Sequence, residues 1–367
     1  MSGTDSAEAG TAAPVLTRLD DRVGRITLNR PKALHALNVE MCRSMTEALQ
    51  AWRDDVGVHA VIIDHSGERG FCAGGDICRL AEGGAGAAAA AQDFFWTEYR
   101  MNHLLFVFPK PTLAVMDGIV MGGGVGISMP CEFRVATERT LFAMPETSIG
   151  LFPDVGGGWH LSRLPGETGT WIALTGARLK AADCLTLGIA NAFVPSERTQ
   201  ELKAALVERL SAATPEETDA VAWAVRDEFS ADPGPDSVSA HREVIDRLFA
   251  GDSVEAIFAA LEQDGSEWAA SQLASLRTKS PQALKVSLRQ LRTGRELKSF
   301  DEDMAMEFRI ASRAVLLPDF REGVRAVLVD KDNTPRWSPP SLEEVSPALL
   351  DSIFARLPPD QEWTPLP

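Results

Sequence analysis

The stretch that decides the fold is residues 117–126, which read DGIVMGGGVG and follow the apolar run TLAVM at 112–116. A second glycine segment, FCAGGDI at 71–77, comes shortly after the apolar run at 60–64. Because glycine has no Cβ, backbone N–H groups in such segments can approach a ligand closely. Two N–H groups that converge on one carbonyl oxygen form an oxyanion hole. The two segments therefore predict such a hole or, as the ordinary alternative, two tight turns.

Strands and helices alternate in the pattern of the first half of the chain. The apolar runs at 23–28, 60–64, 112–116 and 133–136 are typical of strands that are buried on both faces. Between the first two runs, Asn38 can cap a helix. The apolar positions of that helix fall at helical spacing and are Met41, Met45, Ala48, Leu49 and Trp52. This alternation predicts an α/β fold.

The chain divides by texture into three parts. Residues 1–15 are predicted to be a disordered tail, residues 16–196 an α/β core, and residues 197–367 a helical C-terminal region. Within the core, the low-complexity stretch 83–91 is expected to be a loop that runs into a helix near 94–103.

Composition excludes several classes of protein. The 367 residues include 45% hydrophobic residues, which is enough for a sizeable core, and the net charge of −16 disfavours a nucleic-acid binder. The five cysteines show no metal-type CxxC pair and indicate a reduced compartment. No secretory signal or membrane-length apolar run is present, so a cytoplasmic location is expected.

Two carboxylates lie eight residues apart in the segment FAMPETSIGLFPDVGGG at 142–158. They are Glu146 and Asp154, and each follows a proline. A Gly/Pro-rich segment is predicted to fold as a turn rather than a helix, so both could reach one pocket. The ordinary alternative is that Glu146 caps a local helix or meets a surface arginine.

Other chemistries have little support in the sequence. The six histidines show no HxxxH or HExxH spacing, so no metal site is expected. The glycine segments match neither the P-loop nor the dinucleotide-binding pattern, and no GxSxG motif occurs. Cys72, beside the first glycine segment, is expected to be a buried, unreactive thiol.

In order and spacing these segments resemble the enoyl-CoA hydratase/isomerase, or crotonase, superfamily. The resemblance is closest to its 3-hydroxyisobutyryl-CoA hydrolase branch, and it includes the C-terminal block DFREGVRA at 319–326. It implies a spiral of β-β-α repeats with a helical C-terminal region. It also implies hydrolysis of a short 3-hydroxyacyl-CoA, best guess 3-hydroxyisobutyryl-CoA in valine breakdown, in which coenzyme A belongs to the substrate and no separate cofactor is used.

The resemblance also implies roles for particular residues. Gly75 and Gly123 match the two positions whose N–H groups form the oxyanion hole, and Glu146 matches the principal catalytic glutamate, as nucleophile or general base. Asp154 matches an aspartate kept near the acyl end of the substrate. Ala73 matches the position whose carbonyl reads the adenine. The remaining predicted substrate-binding and CoA-binding residues are Gly74, Asp76, Gly122, Lys32 and Ala36.

One departure separates this chain from the hydratases. Gly126 occupies the position where hydratases carry their first glutamate, so the two-carboxylate arrangement for adding water is incomplete. An enoyl-CoA isomerase of the same superfamily is the nearest alternative, and a non-catalytic acyl-CoA-binding protein is a remote one. The anionic CoA needs a local basic patch, for which Lys32, Arg69 and Lys285 are candidates. The family resemblance further suggests a trimer or hexamer.

Overall fold

The computed structural model describes residues 13–81 and 85–367. Of the predicted tail, residues 1–15, the first twelve residues therefore lie outside the described residues. Residues 13–15 are tied to the fold, because the Asn29 N–H donates to the Pro14 carbonyl at 2.8 Å and Val15 begins the first strand.

The strands of the described residues form two sheets. In chain order the strands are β1 (Val15–Asp20), β2 (Val23–Leu28), β3 (Ala60–His65), β4 (Gly70–Cys72), β5 (Thr112–Met116), β6 (Ile119–Met121), β7 (Phe133–Ala136), β8 (Leu141–Ala143) and β9 (Ala192–Phe193). The larger sheet has the order β1-β2-β3-β5-β7-β9, and the smaller has the order β4-β6-β8. The pairing of β1 with β2 is antiparallel, and every other pairing between these strands is parallel.

Helices fill the connections and the second half of the chain. They are α1 (Val39–Arg53), α2 (Cys78–Ala81), α3 (Ala85–Phe106), α4 (Gly123–Gly126), α5 (Gly157–Ser162), α6 (Thr168–Thr175), α7 (Ala181–Thr186), α8 (Thr199–Ala212), α9 (Thr218–Phe229), α10 (Arg242–Leu248), α11 (Val254–Asp264), α12 (Glu267–Leu276), α13 (Pro281–Glu296), α14 (Phe300–Ala314), α15 (Pro318–Val324) and α16 (Pro347–Phe354). A π-helical turn, Arg325–Val329, follows α15.

The repeat of the fold is visible in the strand pairs. In β3–β4, β5–β6 and β7–β8, the first strand joins the large sheet and the second joins the small sheet, and helical segments then return the chain. This confirms the predicted spiral of β-β-α repeats with a helical C-terminal region. The strands predicted at 23–28, 112–116 and 133–136 are confirmed with these bounds.

Both faces of the large sheet are covered. On one face, Ile62, Leu113 and Val135 pack against α8 and α9. On the other face, Val61 and Ile63 belong to the main core, which also contains residues of α1, α3 and α14. Neighbouring residues of β3 thus point into different cores, which explains its continuous apolar run.

Two local predictions were wrong. Residues 85–91 are the first turns of α3 rather than a loop, because an alanine-rich run has high helix propensity, while residues 83 and 84 lie outside the described residues. The segment 142–158 is not a turn throughout. Glu146–Ile149 form a 3-10 helix, and Gly157 and Gly158 begin α5, where buried carboxylates accept from the helix N-terminus.

None of the helices in the described part of the chain combines the length and apolar character needed to span a bilayer.

Candidate active site

Three loops meet at one edge of the small sheet. Residues 73–76 follow β4, Gly122 and Gly123 follow β6, and Pro145 and Glu146 follow β8. Because these strands are parallel, their carboxyl ends share an edge, and the loops that leave them converge. A cavity of about 670 Å³ opens between them, which we call the central cavity. Its volume suits a small organic ligand.

Two backbone N–H groups at this cavity have no acceptor within the described part of the chain. Gly75 is held by its neighbours, since the Leu37 N–H donates to the Gly74 carbonyl at 2.8 Å and the Asp76 N–H donates to the Leu37 carbonyl at 2.7 Å. Gly123 is the first residue of α4, so its N–H has no partner within the helix. In residues 13–81 and 85–367, neither the Gly75 N–H nor the Gly123 N–H donates to a protein acceptor. The pair is available to a ligand oxygen.

Four carboxyl groups line the same cavity, and three of them are buried. Glu146 and Asp154 are each 5% exposed, and Glu98 of α3 is 1% exposed. Glu98 Oε1 and Glu146 Oε2 are buried without a hydrogen-bond partner in the described structure. A Cβ placed on Gly123 would lie 2.7 Å from Glu98 Oε1, and one on Gly122 would lie 3.1 Å from Glu146 Oε1. Two acids, each with one unpartnered oxygen, thus flank the second glycine loop.

Burial raises the pKa values of these three acids and so favours their uncharged, protonated forms. Desolvation raises the pKa of Glu146 well above its ordinary value, and the nearby charge of Asp154 raises it further. The same two causes raise the pKa of Glu98. Burial raises the pKa of Asp154 to about 6, although the Tyr99 hydroxyl donates to its Oδ2 at 2.8 Å and opposes the rise. Carboxyl groups with raised pKa values are suited to proton transfer near neutral pH.

The structure brings nearly all the sequence-predicted residues together. Those that line the central cavity are Ala36, Ala73, Gly74, Gly75, Asp76, Gly122, Gly123, Glu146 and Asp154. The Asp76 carboxylate is itself paired with Arg30 at 2.9 Å. Lys32 does not line the cavity, because it lies in an exposed 3-10 turn, and its neighbour Ala33 lines the cavity instead.

Position 126 does not face the central cavity. A Cβ on Gly126 would lie 2.6 Å from Val155 Cβ and 2.8 Å from Asn102 Nδ2. Asn102 in turn donates to the Gly126 carbonyl at 2.9 Å. Packing therefore leaves no room for a glutamate at 126.

Sequence reasoning missed Glu98 and two cations at the cavity wall. Lys279 and Arg178 both line the cavity, and Lys279 Nζ donates to Ser148 Oγ at 2.8 Å. Neither cation has a carboxylate partner among the described residues. Glu98 could have been found, because it shares the helical face of Phe95 and Tyr99, which is apolar and buried. Nothing local singles out Lys279 or Arg178, since they meet the cavity only through the tertiary fold.

The sequence leaves open whether Phe142, Phe152, Trp96 and Trp159 belong to the core or to the wall of the pocket. Phe142 and Phe152 are fully buried in the main core and Trp96 and Trp159 pack against it, so none of the four lines the cavity. Phe94 and Phe95 of α3 do, together with Leu151 and, from the π-helical turn, Val327 and Leu328. Cys72 lies outside the cavity, and burial raises the pKa of its thiol to about 12.

The described residues contain no cluster of three or more His, Cys, Asp or Glu side chains placed to hold a metal ion.

Known proteins place this geometry in a family. The sequence model of the enoyl-CoA hydratase/isomerase family matches residues 23–354. The chain is 46% identical over 334 residues to the 3-hydroxyisobutyryl-CoA hydrolase of Xenopus laevis, covering 91% of this chain and 86% of the relative. It is 42% identical over 355 residues to the human protein of that name, covering 96% and 90%.

Solved structures agree with this placement. A carnitinyl-CoA dehydratase from Mycobacterium thermoresistibile has a TM-score of 0.86 and 38% identity over 96% of this chain and 98% of that one. An enoyl-CoA hydratase from Rhodobacter sphaeroides has a TM-score of 0.85 and 41% identity over 96% and 99%. The chain therefore belongs to the enoyl-CoA hydratase/isomerase family.

Proposed function

We propose that this protein is a thioesterase that hydrolyses a short 3-hydroxyacyl-CoA, with 3-hydroxyisobutyryl-CoA as the best candidate substrate. The observation that carries the proposal is the placement of Glu146 in one cavity with two acceptor-free N–H groups. The names of the curated relatives, 3-hydroxyisobutyryl-CoA hydrolases, support the same substrate. A role in valine breakdown follows only from that substrate and is part of the proposal.

In this proposal the thioester carbonyl oxygen lies between the N–H groups of Gly75 and Gly123. Negative charge develops on that oxygen when the carbonyl carbon becomes tetrahedral. Donors that are fixed before the reaction stabilise the charged state more than the substrate. Loss of one such donor costs roughly 10²–10³ in kcat in enzymes of this type.

Glu146 has two routes to the same products. As nucleophile, its carboxylate attacks the carbonyl carbon, and the C–S bond breaks with CoA leaving as the thiolate. Water then cleaves the anhydride to the substrate acid and a neutral Glu146, whose proton goes to the thiolate and restores the carboxylate. As general base, it takes a proton from water, whose oxygen attacks the carbonyl, and that proton then goes to the departing sulfur. Both routes yield a carboxylic acid and free CoA, and both require Glu146 to be ionised.

Asp154 and Glu98 are proposed to surround the acyl group. Asp154 accepts a hydrogen bond from Tyr99, which fixes its orientation in the cavity. The Asp154 carboxyl group would bind the substrate hydroxyl or assist proton transfer. Glu98, with an unpartnered and buried Oε1, is the second group that could accept this hydroxyl.

The phosphates of CoA are proposed to meet Lys279 and Arg178. Both line the central cavity, and neither is neutralised by a carboxylate of the described chain. Of the cations suggested by sequence, Arg69 donates to the Pro31 carbonyl at 3.1 Å, and Lys285 is paired with Glu255 at 2.6 Å. Neither of these two lines the cavity.

The test is a thiol-release panel over short 3-hydroxyacyl-CoAs and the matching enoyl-CoAs. We expect free thiol from 3-hydroxyisobutyryl-CoA, and loss of its release in Glu146→Gln with acyl-CoA binding retained. An enoyl-CoA isomerase or a hydratase would leave the thioester intact, so rearrangement or hydration without thiol would overturn the proposal. If the wild type releases no thiol, and the wild type and Glu146→Gln bind acyl-CoA with equal affinity, the protein is a binding protein rather than an enzyme.

Three further parts of the proposal concern the setting of the enzyme. We propose no cofactor apart from the CoA of the substrate, no nucleic-acid partner, and a trimer or hexamer in solution, which light scattering would test. A reduced, cytoplasmic compartment fits the buried cysteines Cys42, Cys72, Cys131 and Cys184, none of which forms a disulfide. The curated relatives are named as mitochondrial, so fractionation of cells should decide the compartment.

A further inference from the structure

The loop that carries Asp154 is held on both sides by buried side chains of the C-terminal helices. Gln290 of α13 donates through Nε2 to the Pro153 carbonyl at 2.7 Å. Glu307 of α14 accepts from the Gly156 N–H at 2.8 Å through Oε2, and from the Gly158 N–H at 2.9 Å through Oε1. The backbone is thus fixed one residue before Asp154 and two residues after it.

The two side chains act as one unit. Gln290 Nε2 also donates to Glu307 Oε1 at 2.8 Å, and both side chains are fully buried. Since water does not reach this cluster, a loop N–H that lost its carboxylate would be left unpaired. The bonds therefore restrain the loop more firmly than the same bonds would at the surface.

The backbone of this loop needs such restraint. Val155 has a φ of +57° and Gly156 has a φ of +90°, so two successive residues lie in the left-handed region. A β-branched residue rarely adopts that conformation and keeps it only when its surroundings enforce it. Val155 directly follows Asp154, so relaxation at Val155 would swing the Asp154 carboxyl group away from the cavity.

We propose that Glu307, together with Gln290, positions Asp154 for the reaction. Neither residue lines the central cavity, and their effect passes through the backbone of residues 153–158. The proposal rests on the proposed thioesterase function, because it concerns the placement of a group in that site.

The test is a double-mutant cycle that is read in thiol release. Glu307→Gln keeps the side-chain volume but replaces one of the two accepting oxygens by an NH₂ group. Because NH₂ is a donor, it cannot accept from the loop N–H that faces it, and that hydrogen bond is lost. We expect kcat to fall by about 10- to 100-fold with KM within about twofold, because misplacement by about 1 Å costs that much. In the Asp154→Asn background the same change should alter kcat by less than about twofold, since the group it positions is gone.

The matched control is Ser287→Ala, on the same helix as Gln290. Ser287 is equally buried, but its hydroxyl donates to the Ala283 carbonyl at 2.7 Å within α13 rather than to the loop. We expect its kcat to stay near that of the wild type. If Glu307→Gln does not fold, as judged by circular dichroism, the same cycle is run with Gln290→Met, which removes the donor to Pro153.

Three results would overturn the proposal. They are an unchanged kcat in the folded single variant, equal losses in both backgrounds, and a wild-type kcat in Asp154→Asn, which would leave nothing to position. A wild type without thiol release would instead overturn the proposed function itself, so the two failures are distinct.

Discussion

The carboxyl group of Glu146 is buried, and one of its oxygens has no hydrogen-bond partner among the described residues. That oxygen is Oε2, and burial together with the charge of Asp154 raises the pKa of Glu146 and favours its neutral form. An unsatisfied buried acid costs stability, and such groups concentrate at functional sites. The arrangement is understandable if a substrate supplies the missing partner.

The first prediction concerns the pH at which Glu146 ionises. The negative charge of Asp154 raises the pKa of Glu146, so replacing Asp154 by neutral Asn should lower that pKa. Because the proposed mechanism requires the ionised form, kcat/KM should rise with pH, and the midpoint of this acidic limb should move to lower pH in Asp154→Asn. The measurement is the pH profile of the residual thiol release. The control Glu255→Gln removes a remote charge and should leave the limb in place, and a limb that stays or moves upward in Asp154→Asn would contradict the assignment.

Gly126 supports a second prediction. Its Cβ position is occupied by Val155 Cβ at 2.6 Å, so Gly126→Ala overpacks the core beside Asp154. We expect a loss of about 1–3 kcal/mol in the free energy of unfolding, measured by urea titration. Gly86→Ala in α3 has no atom within 4 Å of the new Cβ and should be neutral or slightly stabilising. An unchanged stability of Gly126→Ala would refute the packing argument.

Lys279 supports a third prediction, through the charge it offers to CoA. Lys279→Met should raise KM for the CoA thioester by about tenfold, because a charge-assisted hydrogen bond to phosphate is lost. KM for the corresponding pantetheine thioester, which lacks the phosphates, should stay the same. Lys32→Met is the control and should leave both values unchanged, since Lys32 does not line the cavity. An equal rise in KM for both thioesters would contradict the prediction that Lys279 binds a phosphate of CoA.

At the scale of residues, the sequence was enough to predict which loops form the site, but not all of the side chains that line it. Gly75, Gly123, Glu146 and Asp154 could be assigned to one site because the family resemblance implies it, and all four line the central cavity. Lys279 could not be placed, because it lies 131 residues from its partner Ser148 and meets it only across the tertiary fold. Short-range patterns carry no information about such contacts.

Among the elements, α13 joins two parts of the C-terminal region to each other at its N-terminal end. Its N-cap residue Ser280 accepts from the Ala283 N–H at 3.0 Å and donates to Asp319 Oδ2 at 2.5 Å. Asp319 is fully buried and also accepts from the Ser338 N–H at 2.6 Å. The Ser280 hydroxyl therefore links the start of α13 to α15, and Asp319 links α15 to the proline-rich segment after it.

A fourth prediction follows for this cap. Ser280→Ala removes a helix cap worth about 1 kcal/mol and leaves a buried carboxyl group with one donor fewer, which costs about 1–3 kcal/mol more. Ser266→Ala removes the exposed cap of α12, where the Ala269 N–H donates to Ser266 Oγ at 3.2 Å, and should cost only about 1 kcal/mol. Thermal unfolding of the pair checks this, and equal losses would mean that the bond to Asp319 is without consequence.

The elements show where local patterns are sufficient. Asn38 was predicted to cap a helix, and its side chain accepts from the Met41 N–H at 2.9 Å at the start of α1. The start of α5 at Gly157 was not predicted, because glycines disfavour helix and the stabilising carboxylate is Glu307, 149 residues away from Gly158. Helices that form through distant partners escape propensity rules.

For the whole molecule, the buried acids make stability depend on pH. Burial raises the pKa of Asp303 from its ordinary 3.8 to about 7. Below about pH 4 the Asp303 carboxyl group is neutral in both the folded and the unfolded chain, and its burial carries no ionisation cost. Between about pH 4 and about pH 7 the unfolded chain loses this proton more readily than the folded chain, so the free energy of unfolding falls as the pH rises.

The fifth prediction is therefore a difference between two pH values. The amide introduced by Asp303→Asn cannot ionise, so the stability of this variant relative to the wild type should increase between about pH 4 and about pH 7.5. The constant cost of the substitution cancels in this comparison. Urea unfolding at both pH values measures it, with Asp301→Asn, an exposed neighbour, as control. A difference that is independent of pH would show that Asp303 ionises as readily in the folded chain as in the unfolded one.

The bonds from Glu307 to the Asp154 loop have a consequence for the way the protein is made. They join residues 151 and 149 positions apart, so they cannot form until most of the chain has been synthesised. Contacts of such sequence separation form late, because the entropy of closing a long loop must be overcome first. During translation the glycine loops can fold while the Asp154 loop is still unrestrained. Catalytic competence would then be the last property that the nascent chain acquires.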